Sequence, residues 1–200
     1  MSNAASLPLS RGVLVDALWA HSRVRNIALV VGAAALTAAA AQVVIPVPGS
    51  PVPVTLQTFA VLVTAAGLGA TRGALGQLLY LAVGALGVPV FHGATGGAQA
   101  LFGSTGGYLL GFVVAAYVVG VLSERGADRK VASTAVAYVA GSAIIYGLGV
   151  TVLALSAGQS LGWGIQHGLV PFLVGDALKA LAAAGALPLA WRAIRGWKNS

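Results

Sequence analysis

Asp176 and Lys179 stand three residues apart in "VGDALKAL" (174–181), and no other Asp, Glu, Lys or Arg falls between Val131 and Ala190. At that spacing on a helix the two side chains share a face. Each costs roughly 2.5–3.5 kcal/mol at the centre of a membrane span on insertion scales. A self-neutralising pair, or a lysine reaching for the interface, explains how the cost is reduced. Neither explains why it is incurred. Ionisable residues inside membrane segments face a bundle interior or a polar cavity and serve transport or binding. A carboxylate accepts hydrogen bonds and an ammonium donates them. Together they suit a small molecule that presents N–H donors and a C=O acceptor, with an anionic tail held by Lys179 or by backbone amides.

The surrounding chain is built to sit in lipid. Of its 200 residues 58% are hydrophobic and 8% charged, against roughly a quarter charged in soluble domains. The mean hydropathy is +0.91. Uncharged stretches run from Ile27 to Thr71, Gly73 to Ser123 and Val131 to Gly175, each long enough for two spans of about 20 residues. Turn-forming clusters divide them into six predicted spans: 26–44, 54–68, 74–86, 108–122, 131–155 and 169–191. The expected fold class is therefore an all-α membrane protein, a bundle of six transmembrane helices. The expected organisation is an N-terminal segment 1–25, a transmembrane domain 26–192 and a tail 193–200. "RGVLVDALWAHSRVRN", interrupted by Asp16, His21 and three Arg, is not expected to be a cleavable signal peptide. It reads as a short amphipathic helix on the membrane surface or as a polar terminus.

Charge placement orients the bundle. Lys179 apart, every Lys and Arg lies before the first span, in the second or fourth loop, or after the sixth span. The first, third and fifth loops carry none. Retention of positive residues on the cytoplasmic side predicts this alternation, with both termini cytoplasmic. The net charge of +7 follows from these flanks and forms no basic face, so no nucleic-acid partner is expected. The chain has no Cys, which excludes disulfides and thiolate chemistry.

The uncharged loops hold the other candidates. "PVPGSPVPVTLQTF" places Thr55 and Gln57 at the start of the second span; capping explains Thr55, whereas Gln57 leans towards a ligand. "FHGATGGAQALFGSTGG" carries two Thr-Gly-Gly triplets, at 95–97 and 105–107. Glycine allows positive φ and close backbone approach, and amides in such turns can hold an anion or carbonyl. No Gly-Lys-Ser/Thr follows, so this is not a P-loop. His92 and His167 are too few and too far apart for an expected metal site, and no cofactor is indicated.

"PVPVTLQTFAVLVTAAGLGATRGALGQLLYLAVGALGVPVF", followed by "GATGG…LFGSTGGYLLGF" and the late "GDALK", resembles the BioY family, the biotin-specific substrate-binding (S) components of energy-coupling factor (ECF) vitamin transporters. The resemblance runs from about Ala34 to Trp191. Ser104 departs from it, since the family often has Pro there. The resemblance implies six helices, a vitamin pocket near the outer face of a prokaryotic cytoplasmic membrane, and biotin as the ligand. It implies Asp176 as acceptor for a ureido N–H and Lys179 as donor to the ureido oxygen or partner to Asp176. It further implies Thr95, Gly96 and Gly97 over the ligand, and Phe91 and Tyr108 packed on its rings.

Small residues at four-residue spacing in "GAAALTAAAAQ", such as Ala35 and Ala39, let helices approach closely. The resemblance makes this face the contact with a transmembrane coupling (T) component, energised by two ATPase subunits; internal packing explains it nearly as well. The chain has no ATP-binding motif of its own. Working alone, as a homo-oligomer or with a coupling module all stay open from sequence, as does the lipid that surrounds it. An S component for thiamin or riboflavin would be expected to use more aromatic stacking than 7% aromatics provide. A channel or a structural scaffold is the alternative from another class; a channel needs a continuous polar lining, and the polar positions here are isolated and clustered towards one side. An enzyme is not expected, because one Asp–Lys pair with scattered His supplies no nucleophile and base.

Overall fold

A computed structural model describes residues 12–18 and 22–199. The chain is almost wholly helical: α1 (Leu14–Leu18), α2 (Arg23–Ala41), α3 (Gln57–Leu68), α4 (Ala70–Ala85), α5 (Gln99–Phe102), α6 (Gly106–Glu124), α7 (Val131–Ser156), α8 (Leu161–Gly168) and α9 (Leu173–Asn199). Strands β1 (Val44–Ile45) and β2 (Val54–Thr55) pair antiparallel, with Val44 opposite Thr55. Residues 1–11 and 19–21 of the expected amphipathic segment lie outside the described residues.

The helices α2, α3, α4, α6, α7 and α9 overlap the six stretches expected as spans, with shifted ends. Among the described residues, four helical segments are long and apolar enough to cross a membrane: α2, α6, α7 and the run Leu161–Trp197. The helices α3 and α4 have 12 and 16 residues, short for a bilayer that takes about 20. The expected loop "GLGATRG" shrinks to Gly69, whose φ of +87° breaks the helix, so Arg72 lies inside α4 rather than in a loop. Glu124 of α6 then caps α4, its Oε1 accepting from the Ala70 amide at 2.9 Å, which satisfies one of the orphan donors of a helix start. The second span begins at Gln57 because 54–55 pair as a strand. The polar segment after α7 forms the extra helix α8, N-capped by Ser160. Finally, α9 runs to Asn199, through the expected tail.

Ala and Gly let these helices pack closely, and the largest fully buried side chains include Tyr80, Phe91, Leu62, Ile145 and Leu153. Buried polar side chains bond across helices, as in Gln77 Nε2 of α4, which donates to Thr37 Oγ1 of α2 at 3.2 Å. One end of the bundle is charged. There Asp16 pairs with Arg25 (2.6 Å) and Arg72 (2.7 Å), and Arg129 donates to Gly12 O. The opposite end gathers the three segments without Lys or Arg, 42–56, 86–105 and 157–172.

Candidate ligand-binding site

Asp176 and Lys179 come together in the first turns of α9, both buried, at the uncharged end. Lys179 Nζ lies 2.9 Å from Asp176 Oδ1. It also donates to Thr55 O at 2.8 Å and Thr58 Oγ1 at 2.9 Å. All three ammonium protons are thereby used. The Thr58 hydroxyl donates in turn to Asp176 Oδ1 (3.3 Å), and the Tyr146 hydroxyl donates to Asp176 Oδ2 (2.5 Å). A buried ion pair is tolerated when its remaining protons and lone pairs are satisfied in this way. The hairpin explains part of it: β2 delivers the Thr55 carbonyl, and Thr58 follows one turn into α3.

Beside the pair lies a cavity of about 530 Å³, its open mouth included, lined by Val52, Pro53, Thr55, Gln57, Thr58, His92, Thr105, Tyr108, Leu109, Phe112, Tyr146, Phe172 and Lys179. Apolar walls with few polar groups are typical of small-molecule sites. Tyr146 sits edge-on to Tyr108, ring centroids 6.1 Å apart, and 6.0 Å from Phe172. Tyr108 is fixed twice: its hydroxyl donates to Gly168 O at 2.8 Å, and Gly149 leaves room for its ring, where a Cβ would stand 2.3 Å away. Gln57 donates to Tyr80 OH (2.8 Å) and accepts from the Thr55 hydroxyl (2.9 Å).

A profile of the BioY family matches residues 11–196. The chain belongs to the BioY family. This is a family of transport proteins rather than enzymes. A protein named "Biotin transporter BioY" from Thermotoga maritima is 44% identical over 140 residues, covering 70% of this chain and 81% of that protein. Another of the same name from Rhizobium etli is 36% identical over 141 residues, covering 67% and 75%. The fold is that of a solved S component for biotin from an ECF-type ABC transporter, with a TM-score of 0.75 at 21% identity over 86% of this chain and 95% of that one.

In this BioY chain the expected site residues separate into two groups. Lys179, Gln57 and Tyr108 line the cavity. Asp176 stands behind Lys179 and instead borders a groove between α7, α8 and α9, about 1210 Å³ with its open space, which shares Tyr146 with the cavity. Phe91, Thr95, Gly96 and Gly97 are not among the cavity-lining residues; they build the loop that carries His92. Phe91 is buried under Tyr80, centroids 5.4 Å apart, and a Cβ on Gly84 would stand 2.1 Å from its ring. Thr95 donates to His92 O, and the Gly97 amide to Gly84 O at 2.7 Å. Gly96 lies against the Val88 carbonyl, where a Cβ would come within 2.5 Å.

Sequence reasoning missed Thr58, Tyr146, Phe172 and Gln42. Gln42, just past α2, accepts from the Ala94 amide (3.0 Å) and donates to Phe91 O (3.2 Å). It clamps a segment in which Gly93 and Ala94 both have positive φ, +65° and +55°, a conformation costly for alanine. A polar residue closing an Ala-rich helix was the available signal. Ala35 and Ala39 continue an exposed face of α2 with Ile27 and Val31 at four-residue spacing, while Ala33, Ala34, Thr37 and Ala41 are its buried residues.

Proposed function

We propose that this chain is the biotin-binding S component of an ECF-type transporter, which captures biotin from the outer side of a prokaryotic cytoplasmic membrane for uptake. The observation that carries this reading is a buried, fully hydrogen-bonded Asp–Lys pair presenting Lys179 to a largely apolar cavity, in a chain whose relatives are named biotin transporters. The ureido head of biotin carries two N–H groups and one C=O. Lys179 donates to the ureido oxygen by exchanging one of its present contacts. The Gln57 and Thr55 side chains accept from the ureido N–H groups, and Asp176 balances the lysine charge from behind. Tyr108, Tyr146 and Phe172 pack on the rings.

The chain crosses the membrane six times with both termini cytoplasmic, which the placement of Lys and Arg supports. The cavity then opens outward. Energy comes from partners, a T component and two ATPase subunits, and the exposed α2 face with Ala35 and Ala39 docks the T component through small-residue packing. Lipid covers the remaining apolar surface.

Isothermal titration of the purified protein in detergent tests the reading. Biotin is expected to bind at submicromolar or tighter affinity, and thiamin and riboflavin to give no heat. Silence with biotin, or equal heat from all three vitamins, would sink it.

A further inference from the structure

Biotin is a carboxylic acid, ionised at neutral pH, and its site needs a partner for that charge. The three segments at the cavity end contain no Lys or Arg. Four titratable side chains line the cavity: Lys179 of α9, Tyr108 of α6, Tyr146 of α7 and His92 of the 86–105 segment. Lys179 is paired with Asp176 and, on the reading above, serves the ureido oxygen at the other end of the ligand. The hydroxyls of Tyr108 and Tyr146 are committed to Gly168 O and Asp176 Oδ2. The remaining group is the half-buried imidazole of His92.

We propose that His92 reads the anionic tail of the ligand, so that binding of the free acid is coupled to uptake of one proton on its imidazole. The inference rests on the biotin reading above. Its geometry is prepared. The strained turn at Gly93 and Ala94, clamped by Gln42, fixes the His92 backbone at the cavity. Thr105 faces the same cavity, and its hydroxyl makes no capping bond to α6, which leaves it free to donate to the same carboxylate.

The groups surrounding His92 set the direction of the pH effect. Burial lowers the His92 pKa, so without ligand the ring is already neutral within the ordinary imidazole range. From α9 the cavity presents Lys179 with Asp176 behind it, a pair without net charge. From α6 and α7 it presents the neutral phenols of Tyr108 and Tyr146, and α2 contributes the uncharged Gln42. A carboxylate entering this setting favours the imidazolium. Affinity is then constant below the pKa of the ligand-free protein, falls with rising pH by at most about tenfold per unit for one linked proton, and levels off above the pKa of the complex.

The test compares biotin with biotin methyl ester by isothermal titration between pH 5.5 and 8.5, in buffers of different ionisation heat. For biotin we expect weakening with pH and buffer-dependent heat, with uptake of up to about one proton between the pKa of the ligand-free protein and that of the complex; for the ester, neither. His92→Gln should abolish the pH dependence and reduce the acid-to-ester preference about tenfold. His92→Arg should keep that preference while removing the pH dependence. A pH slope unchanged in His92→Gln, or equal binding of acid and ester by the wild type, overturns the inference and leaves the biotin reading intact. Absence of binding by both acid and ester to the wild type is instead the failure of the biotin reading.

Discussion

Each end of the bundle buries one aspartate beside a cation, and the two are finished differently. At the uncharged end Asp176 has partners on both oxygens, Lys179 and Thr58 on one and Tyr146 on the other. At the charged end Asp128, in the turn between α6 and α7, accepts from Trp191 Nε1 through Oδ2 at 2.5 Å, while its Oδ1 has no hydrogen-bond partner. Arg129 lies over the Trp191 ring, 4.6 Å from its centroid, a cation–π contact. Burial raises the Asp128 pKa, only partly offset by the Trp191 bond and Arg129. The space beside Asp128, lined also by Ser123, Thr134 and Tyr138, is about 250 Å³, smaller than the cavity beside Lys179. The difference separates two uses of a buried carboxylate. Asp176 is hydrogen-bonded on both oxygens and holds Lys179 at the wall of the cavity. Asp128 joins the α6–α7 turn to α9 and closes the bundle.

Substitutions sharpen that contrast in a definite order. Asp176→Asn removes the counter-charge of Lys179 and should have the largest effect. Breaking a buried pair costs about 3–5 kcal/mol, and biotin affinity should fall at least about a hundredfold. Trp191→Phe removes the donor to Asp128 and should lower stability by about 1–3 kcal/mol, read as a drop in melting temperature, while biotin affinity shifts less than about twofold. Thr105→Ala should be the mildest, weakening biotin by about threefold through one lost hydroxyl contact. A binding loss in Trp191→Phe matching that of Asp176→Asn would erase the distinction between the two ends. A Thr105→Ala effect larger than Asp176→Asn would place the pocket elsewhere.

How much of this was legible depended on the kind of signal. Asp176 and Lys179 stood out because charges are rare in an apolar run, and their helical spacing fixed the pairing. The six apolar helices were legible from the same hydropathy, but their ends were not. Gly69 ends α3 through its backbone conformation, and Glu124 starts α4 from a different helix. The Gly-rich loop was visible, but its work was not: Thr95, Gly96 and Gly97 hold the loop together, and His92 is the member that reaches the cavity. Tyr146 and Thr58 look like ordinary residues of apolar helices. Their role follows from how α3 and α7 are rotated against α9, which no local pattern encodes. Asp128 and Trp191 were likewise invisible as a pair, because they meet only when the α6–α7 turn packs on the far part of α9.

On the proposed reading Lys179 touches the ligand and Asp176 supports it from behind. The structure of the biotin complex measures this directly. The account predicts Lys179 Nζ within about 3 Å of the ureido oxygen, with Asp176 still bonded to Tyr146 and Thr58. Biotin bonded to Asp176 with Lys179 turned away, or biotin bound outside this cavity, would contradict it.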